Sequence, residues 1–142
     1  WDFEAGFPKS FFAQGTDDYS SYLTTPHAIR FHESFDSVER DTHNRQLIDE
    51  VAKMLHDHWG TETDVPTAMF CPWMRLVQVP CKQQLTQSQT EDVTLQMSSE
   101  HKVETVVLSP GDSTYVRLSA NIYNEVADYE KLKLLPDILN KL

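Results

Sequence analysis

Glycine is scarce in this chain, with four in 142 residues. That leaves no Gly-x-Ser-x-Gly elbow, no phosphate-cradling glycine-rich loop and no dinucleotide fingerprint, because each needs several glycines within a few positions. Cysteine is scarcer still. Cys71 and Cys81 are the only two, too few for a disulfide scaffold, and the expectation is a pair of unpaired structural thiols in a reducing, cytoplasmic setting. Basic residues number 12 against 22 acidic ones, for a net charge of −10. The acidic residues are dispersed through "TDDYS", "QTEDV" and "NEVADYE", so no basic stripe exists to follow a phosphate backbone, and a nucleic-acid partner is not expected. No apolar run approaches the roughly 20 residues that a membrane helix needs. Nor does a basic segment followed by an apolar one stand near Trp1, so no signal peptide is visible, and the expectation is a soluble protein whose first residue is internal to a longer one.

What the chain does have is 39% hydrophobic residues, enough for one modest core. Residues 1–35 show no sustained period but carry Phe3, Phe7, Phe11, Phe12, Tyr19, Tyr22 and Phe31. A stretch of that length without a period reads as a functional loop held against another surface. From Asp36 to Trp59, Val38, Leu47, Ile48, Val51, Met54, Leu55 and His58 recur at three- and four-residue steps, which predicts an amphipathic helix. Asp36 or Ser37 would cap its start, and Gly60 would end it in the left-handed region.

Residues 68–79, "AMFCPWMRLVQV", are rich in strand formers, and Pro72 within them predicts an edge strand or a bulge. A short helix near 90–99 rests on Val93, Leu95 and Met97. "KVETVVL" and "STYVRLSA" flank "SPGD", whose proline and glycine suit a tight turn, so a hairpin is expected. "NEVADYEKLKLLPDILNKL" closes the chain with Val126, Tyr129, Leu132, Leu135 and Leu139 at helical spacing, Asn124 placed to cap it and Pro136 placed to kink or restart it. The order predicts an α+β fold, a small antiparallel sheet covered by helices.

Candidate chemistry is sparse. His56 and His58 flank a carboxylate in "HDHW", yet residues i and i+2 of a helix face apart, so they cannot chelate one ion. His27, His32, His43 and His101 have no ligand spacing either, and no metal is expected. Gly15 and Thr16 offer an approachable N–H and a hydroxyl that would suit a phosphate oxygen. Arg117, on a predicted strand, could grip a carboxylate with both arms of its guanidinium. An ordinary turn and a surface ion pair are the plainer readings of these two features.

Two motifs taken together alter that balance. "FPKSFFAQGTDDYSSYLTTPHAIRF" and "YVRLSANIYNEVADYEKL" resemble the C-terminal part of class V aminotransferase-like, pyridoxal-phosphate enzymes of fold type I, nearest the isopenicillin N epimerase-like branch. The resemblance runs over essentially the whole chain, in order. It implies an interface and cofactor-phosphate loop at 1–35 and a C-terminal small domain at 36–142. Gly15 and Thr16 would reach the phosphate of pyridoxal 5'-phosphate bound by the other subunit of a homodimer, and Arg117 would bind the α-carboxylate of an amino-acid substrate. Asn121, Tyr123 and Asn124 would support the turn into the last helix.

The Schiff-base lysine of that family would lie upstream of Trp1, in a large cofactor-binding domain. Lys9, Lys53, Lys82 and Lys102 stand outside the matching motifs, so this chain alone would be inactive. The resemblance leaves epimerase, aminotransferase and carbon–sulfur lyase activity open. "CKQQLTQSQTEDVTLQMSSEHK" is more polar than its counterpart in the family, a departure that bears on the substrate. The alternative is a non-catalytic interaction module derived from such a domain, with the aromatic residues of 1–35 as its partner surface.

Overall fold

The computed structural model describes residues 18–62, 66 and 70–142. The chain divides into two units, up to Asp36 and from Ser37 to Leu142. In the first, α1 (Ser20–Leu23) and α2 (Thr25–Glu33) follow one another, where the sequence suggested a loop. The hydroxyl-rich run turns out to serve the turns of these helices. The Asp18 carboxylate accepts from the Ser20 N–H at 2.9 Å and from its hydroxyl, which holds Asp18 below the usual carboxylate range. Pro26 sits in the first turn of α2, where its missing N–H costs nothing.

The second unit begins with α3 (Ser37–Trp59). Asn44, Leu47, Ile48, Val51, Ala52 and Leu55 form its buried stripe, the 3.6-residue period expected of an amphipathic helix. Two expected members leave that stripe: Val38, in the first turn of α3, is 71% exposed, and His58, in its last turn, is exposed. Gly60, at φ +66°, ends α3 as predicted, its N–H donating to the His56 carbonyl at 2.8 Å.

β1 (Met74–Val79), β2 (Val106–Leu108) and β3 (Thr114–Ser119) form an antiparallel sheet in the order β1-β3-β2. β1 is an edge strand, as Pro72 suggested, but Pro72 itself precedes the ladder. Lacking an N–H, it marks where pairing begins. Gly111, at φ +63°, turns the hairpin between β2 and β3. In the register, Val77 faces Val116 and Val116 faces Val107. With Val79 and Leu118 these make one buried side of the sheet, packed with α3 and the C-terminal helices into a single core.

The helix expected near 90–99 is longer. α4 runs Gln87–His101 and starts from a capping box of Thr86 and Gln89. Val93 and Met97 are buried, while Leu95 is 67% exposed, since i and i+4 share a helix face and i+2 does not. The final segment is a 3-10 helix, Val126–Leu134, followed by α5, Leu135–Leu139. Val126, Tyr129, Leu132 and Leu135 recur every three residues, the period of a 3-10 helix rather than an α-helix. Pro136 lies in the first turn of α5, so it restarts the helix. Asn124 is not the cap. That position falls to Glu125, whose N–H donates to the Asp128 carboxylate at 2.9 Å. No helix among the described residues is long and apolar enough to cross a membrane.

Candidate functional site

Alternation along β3 decides what each side chain can do. Thr114, Val116 and Leu118 are buried, whereas Arg117 and Ser119 point to the other face and are exposed. Arg117 stands between Leu76 on β1 and Val106 on β2, so its backbone is held on both sides in the middle strand. Its guanidinium makes no ion pair among the described residues. The plainer expectation for Arg117, a surface ion pair, is therefore not met there.

β2 ends its pairing at Val106, opposite Arg117, and the last two residues of β3 pair with β1 alone. An open cleft of ≈740 Å³ occupies that gap, bordered by Lys102, Glu104, Arg117, Tyr123, Asp128 and Tyr129. Tyr129 supplies a bond that β2 does not: its hydroxyl donates to the Ser119 carbonyl at 2.7 Å. Burial, with smaller contributions from Asp128 and Tyr123, pushes the Tyr129 phenol up to about 12, so it remains a donor throughout the neutral range. Lys102, in the left-handed region at φ 60°, ends α4 beside the cleft, and its ammonium donates to the Ser99 carbonyl at 2.7 Å.

Asn121, Tyr123 and Asn124 do shape the turn that follows β3. The Asn121 N–H donates to Asn124 Oδ1 at 3.0 Å, and the Asn121 side-chain amide donates to the Tyr123 hydroxyl at 3.3 Å. Tyr123 stays 74% exposed and overhangs the cleft that Arg117 borders.

Gly15 and Thr16 lie outside the described residues, so only Arg117 of the sequence-based site can be placed. No group of three or more metal-binding side chains comes together among the described residues; His56 Nδ1 instead meets the Thr61 hydroxyl at 2.9 Å. Cys71 and Cys81 are both free, and the Cys81 thiol donates to the Gln83 carbonyl at 3.2 Å. Three residues beside the site had no signal in the sequence: Tyr129, Arg75 and Phe70. Tyr129 read as a core residue of a helix, and nothing in local spacing foretold that Arg75 would lie under the Phe70 ring, 3.8 Å from its centroid.

No family model matches the chain. Among curated proteins it is similar to "Probable L-cysteine desulfhydrase, chloroplastic" of Arabidopsis thaliana, 29% identical over 141 residues, which is 90% of this chain and 28% of that protein. A relative in Oryza sativa subsp. japonica, named for the same activity, is 30% identical over 90% of this chain and 30% of its own length. "L-cysteine desulfhydrase" of Arabidopsis thaliana is 29% identical over 93% of this chain and 33% of its own length. The chain thus spans about a third or less of the relatives that it matches.

Proposed function

We propose that this chain is the C-terminal portion of a pyridoxal-phosphate enzyme of fold type I that acts on an amino acid, with release of sulfide from L-cysteine as its reaction. The observation that carries the reading is Arg117: a guanidinium with no ion pair among the described residues, on the open side of the middle strand, in a segment that aligns with three relatives named for one activity. The resemblance to the isopenicillin N epimerase-like branch leaves epimerisation and transamination open. The names of the relatives favour cleavage of the Cβ–S bond.

In this reading, residues 36–142 are the small domain, and residues 1–35 carry the interface segment. Gly15 and Thr16 donate to the cofactor phosphate of the other subunit in a homodimer. Arg117 pairs with the substrate carboxylate, and its place in a strand bonded on both sides fixes the direction of that grip before substrate arrives. Pyridoxal phosphate, when bound, supplies the electron sink that stabilises negative charge at Cα. The Schiff-base lysine belongs to an upstream domain, and the chain by itself is inactive. The parent works in a soluble compartment.

The test is an absorption spectrum and a sulfide assay on the 142-residue chain and on its longest natural reading frame, each mixed with pyridoxal phosphate and desalted. Retained cofactor absorption and sulfide release from L-cysteine in the long form alone are expected. If neither form holds cofactor, the reading fails and the interaction-module alternative takes its place.

A further inference from the structure

The sheet ends at β2. This strand pairs with β3 on one side, and among the described residues no strand pairs with its other side. Its outward N–H and C=O groups are therefore a template onto which another extended segment can be added. Proline or lysine commonly blunts such an edge, yet Glu104, Thr105, Val106, Val107 and Leu108 include neither. The edge is open to pairing.

A groove of ≈510 Å³ runs between that strand and α4. From α4 it takes Gln87, Glu91, Leu95 and Ser98, spaced by three and four residues and so on one face of the helix. Leu95 is 67% exposed and Leu108 of β2 is 39% exposed, which gives the groove apolar walls. Its rim is acidic. Glu91 accepts from the Gln87 side-chain amide at 2.8 Å, and Glu104 accepts from the Ser98 hydroxyl, so both carboxylates are held beside the groove. Neither makes an ion pair among the described residues, and no cationic side chain borders the groove.

We infer that this groove docks an extended, basic peptide segment of a partner protein, which adds a strand to the edge of β2. Main-chain bonds to β2 give the segment its direction, an apolar side chain lies between Leu95 and Leu108, and lysine or arginine side chains meet Glu91 and Glu104. Because β2 has only three residues, few main-chain bonds form, and the side chains carry the selectivity. A second copy of the chain is the poorer occupant. Pairing of two β2 edges would bring like carboxylates together between molecules that each carry a net charge of −10, and like charges placed opposite one another destabilise a strand pair.

The probe is a fluorescein-labelled peptide of alternating lysine and valine, set against the same peptide with glutamate for lysine and against one methylated at alternate backbone nitrogens. In the full-length parent the lysine peptide alone is expected to raise anisotropy and to slow hydrogen exchange at the outward amides of Val106–Leu108. Leu95→Ala, at an exposed helix position that alanine suits, is expected to weaken binding about tenfold, the scale of truncating a side chain that anchors an interface, with melting unaltered. Glu91→Gln combined with Glu104→Gln is expected to flatten the salt dependence of binding. No binding, equal binding of the glutamate or methylated peptide, or an unchanged affinity in Leu95→Ala overturns the inference. Exchange that is already slow at those amides in the free parent also overturns it, and assigns the edge to other residues of the parent. Exchange that slows with protein concentration alone overturns it in favour of a second copy. None of these readouts depends on cofactor or sulfide release, so failure of the reading under Proposed function leaves the inference standing.

Discussion

The two sides of the three-stranded sheet are built from alternate residues of the same strands, and they have opposite fates. Val77, Val116 and Leu118 are at most 1% exposed and meet the helices. Leu76, Arg117 and Leu108, one position away along each strand, face outward. The buried side fixes the strands, and the open side presents what those strands hold in place. A guanidinium that would drift on a loop is therefore held on the middle strand of a sheet.

Substitutions on the two sides should separate stability from function. Leu118→Ala on the buried side should lower unfolding free energy by about 2–5 kcal/mol, read from urea denaturation, with the transition shifted to lower denaturant. Arg117→Ala, its neighbour on the open side, should stay within about 0.5 kcal/mol of the parent sequence; a large loss there would mean that Arg117 serves the fold.

Arg117→Lys, tested in the full-length parent, should cost about 1–3 kcal/mol in kcat/KM for L-cysteine, because a point-charge ammonium cannot reproduce the two-armed bond to a carboxylate. Unchanged kinetics would remove Arg117 from the substrate site. At the start of α4, which packs on β2, Thr86→Ala removes a capping box and should cost about 1 kcal/mol, measured by thermal or urea unfolding. Hydrogen exchange in β2 should quicken with it.

A modest effect is expected at the strand end. Tyr129→Phe keeps the ring in the core but deletes the bond to the Ser119 carbonyl, a loss of about 0.5–1.5 kcal/mol. The pH dependence carries a sign. The folded phenol is raised to about 12 from its ordinary value of 10.0, so its contribution is fully present below pH 10 and is lost as pH rises towards about 12. Stability measured across that interval should fall less steeply in Tyr129→Phe than in the parent sequence.

Much of this architecture could be read from local patterns. The stripe on α3, the turn at Pro110 and Gly111 and the restart at Pro136 each follow from one residue type with a restricted or unusually free backbone, or from a period visible within a dozen positions. The strand under Arg117 was legible in "STYVRLSA", and the structure adds that Arg117 faces away from the buried Thr114, Val116 and Leu118. Each miss has its own cause. α1 and α2 hid because their helices have no buried stripe. The last segment was read as an α-helix because spacing of three fits both helix types when only every third residue is apolar. Asn124 lost the cap because its oxygen found a closer N–H, that of Asn121, in the preceding turn.

Periodicity and backbone chemistry, local properties of a dozen residues at a time, were enough to set α3, α4, the hairpin and the strand that carries Arg117. Contacts between distant residues were not contained in them. That the Tyr129 hydroxyl replaces a missing strand at Ser119, that Asp49 and Arg75 brace the Phe70 ring, and that Leu76, Leu108 and Arg117 stay exposed on one side of the sheet are consequences of how the described elements pack. Packing is settled by which surfaces can be buried together, a condition that only the folded chain satisfies.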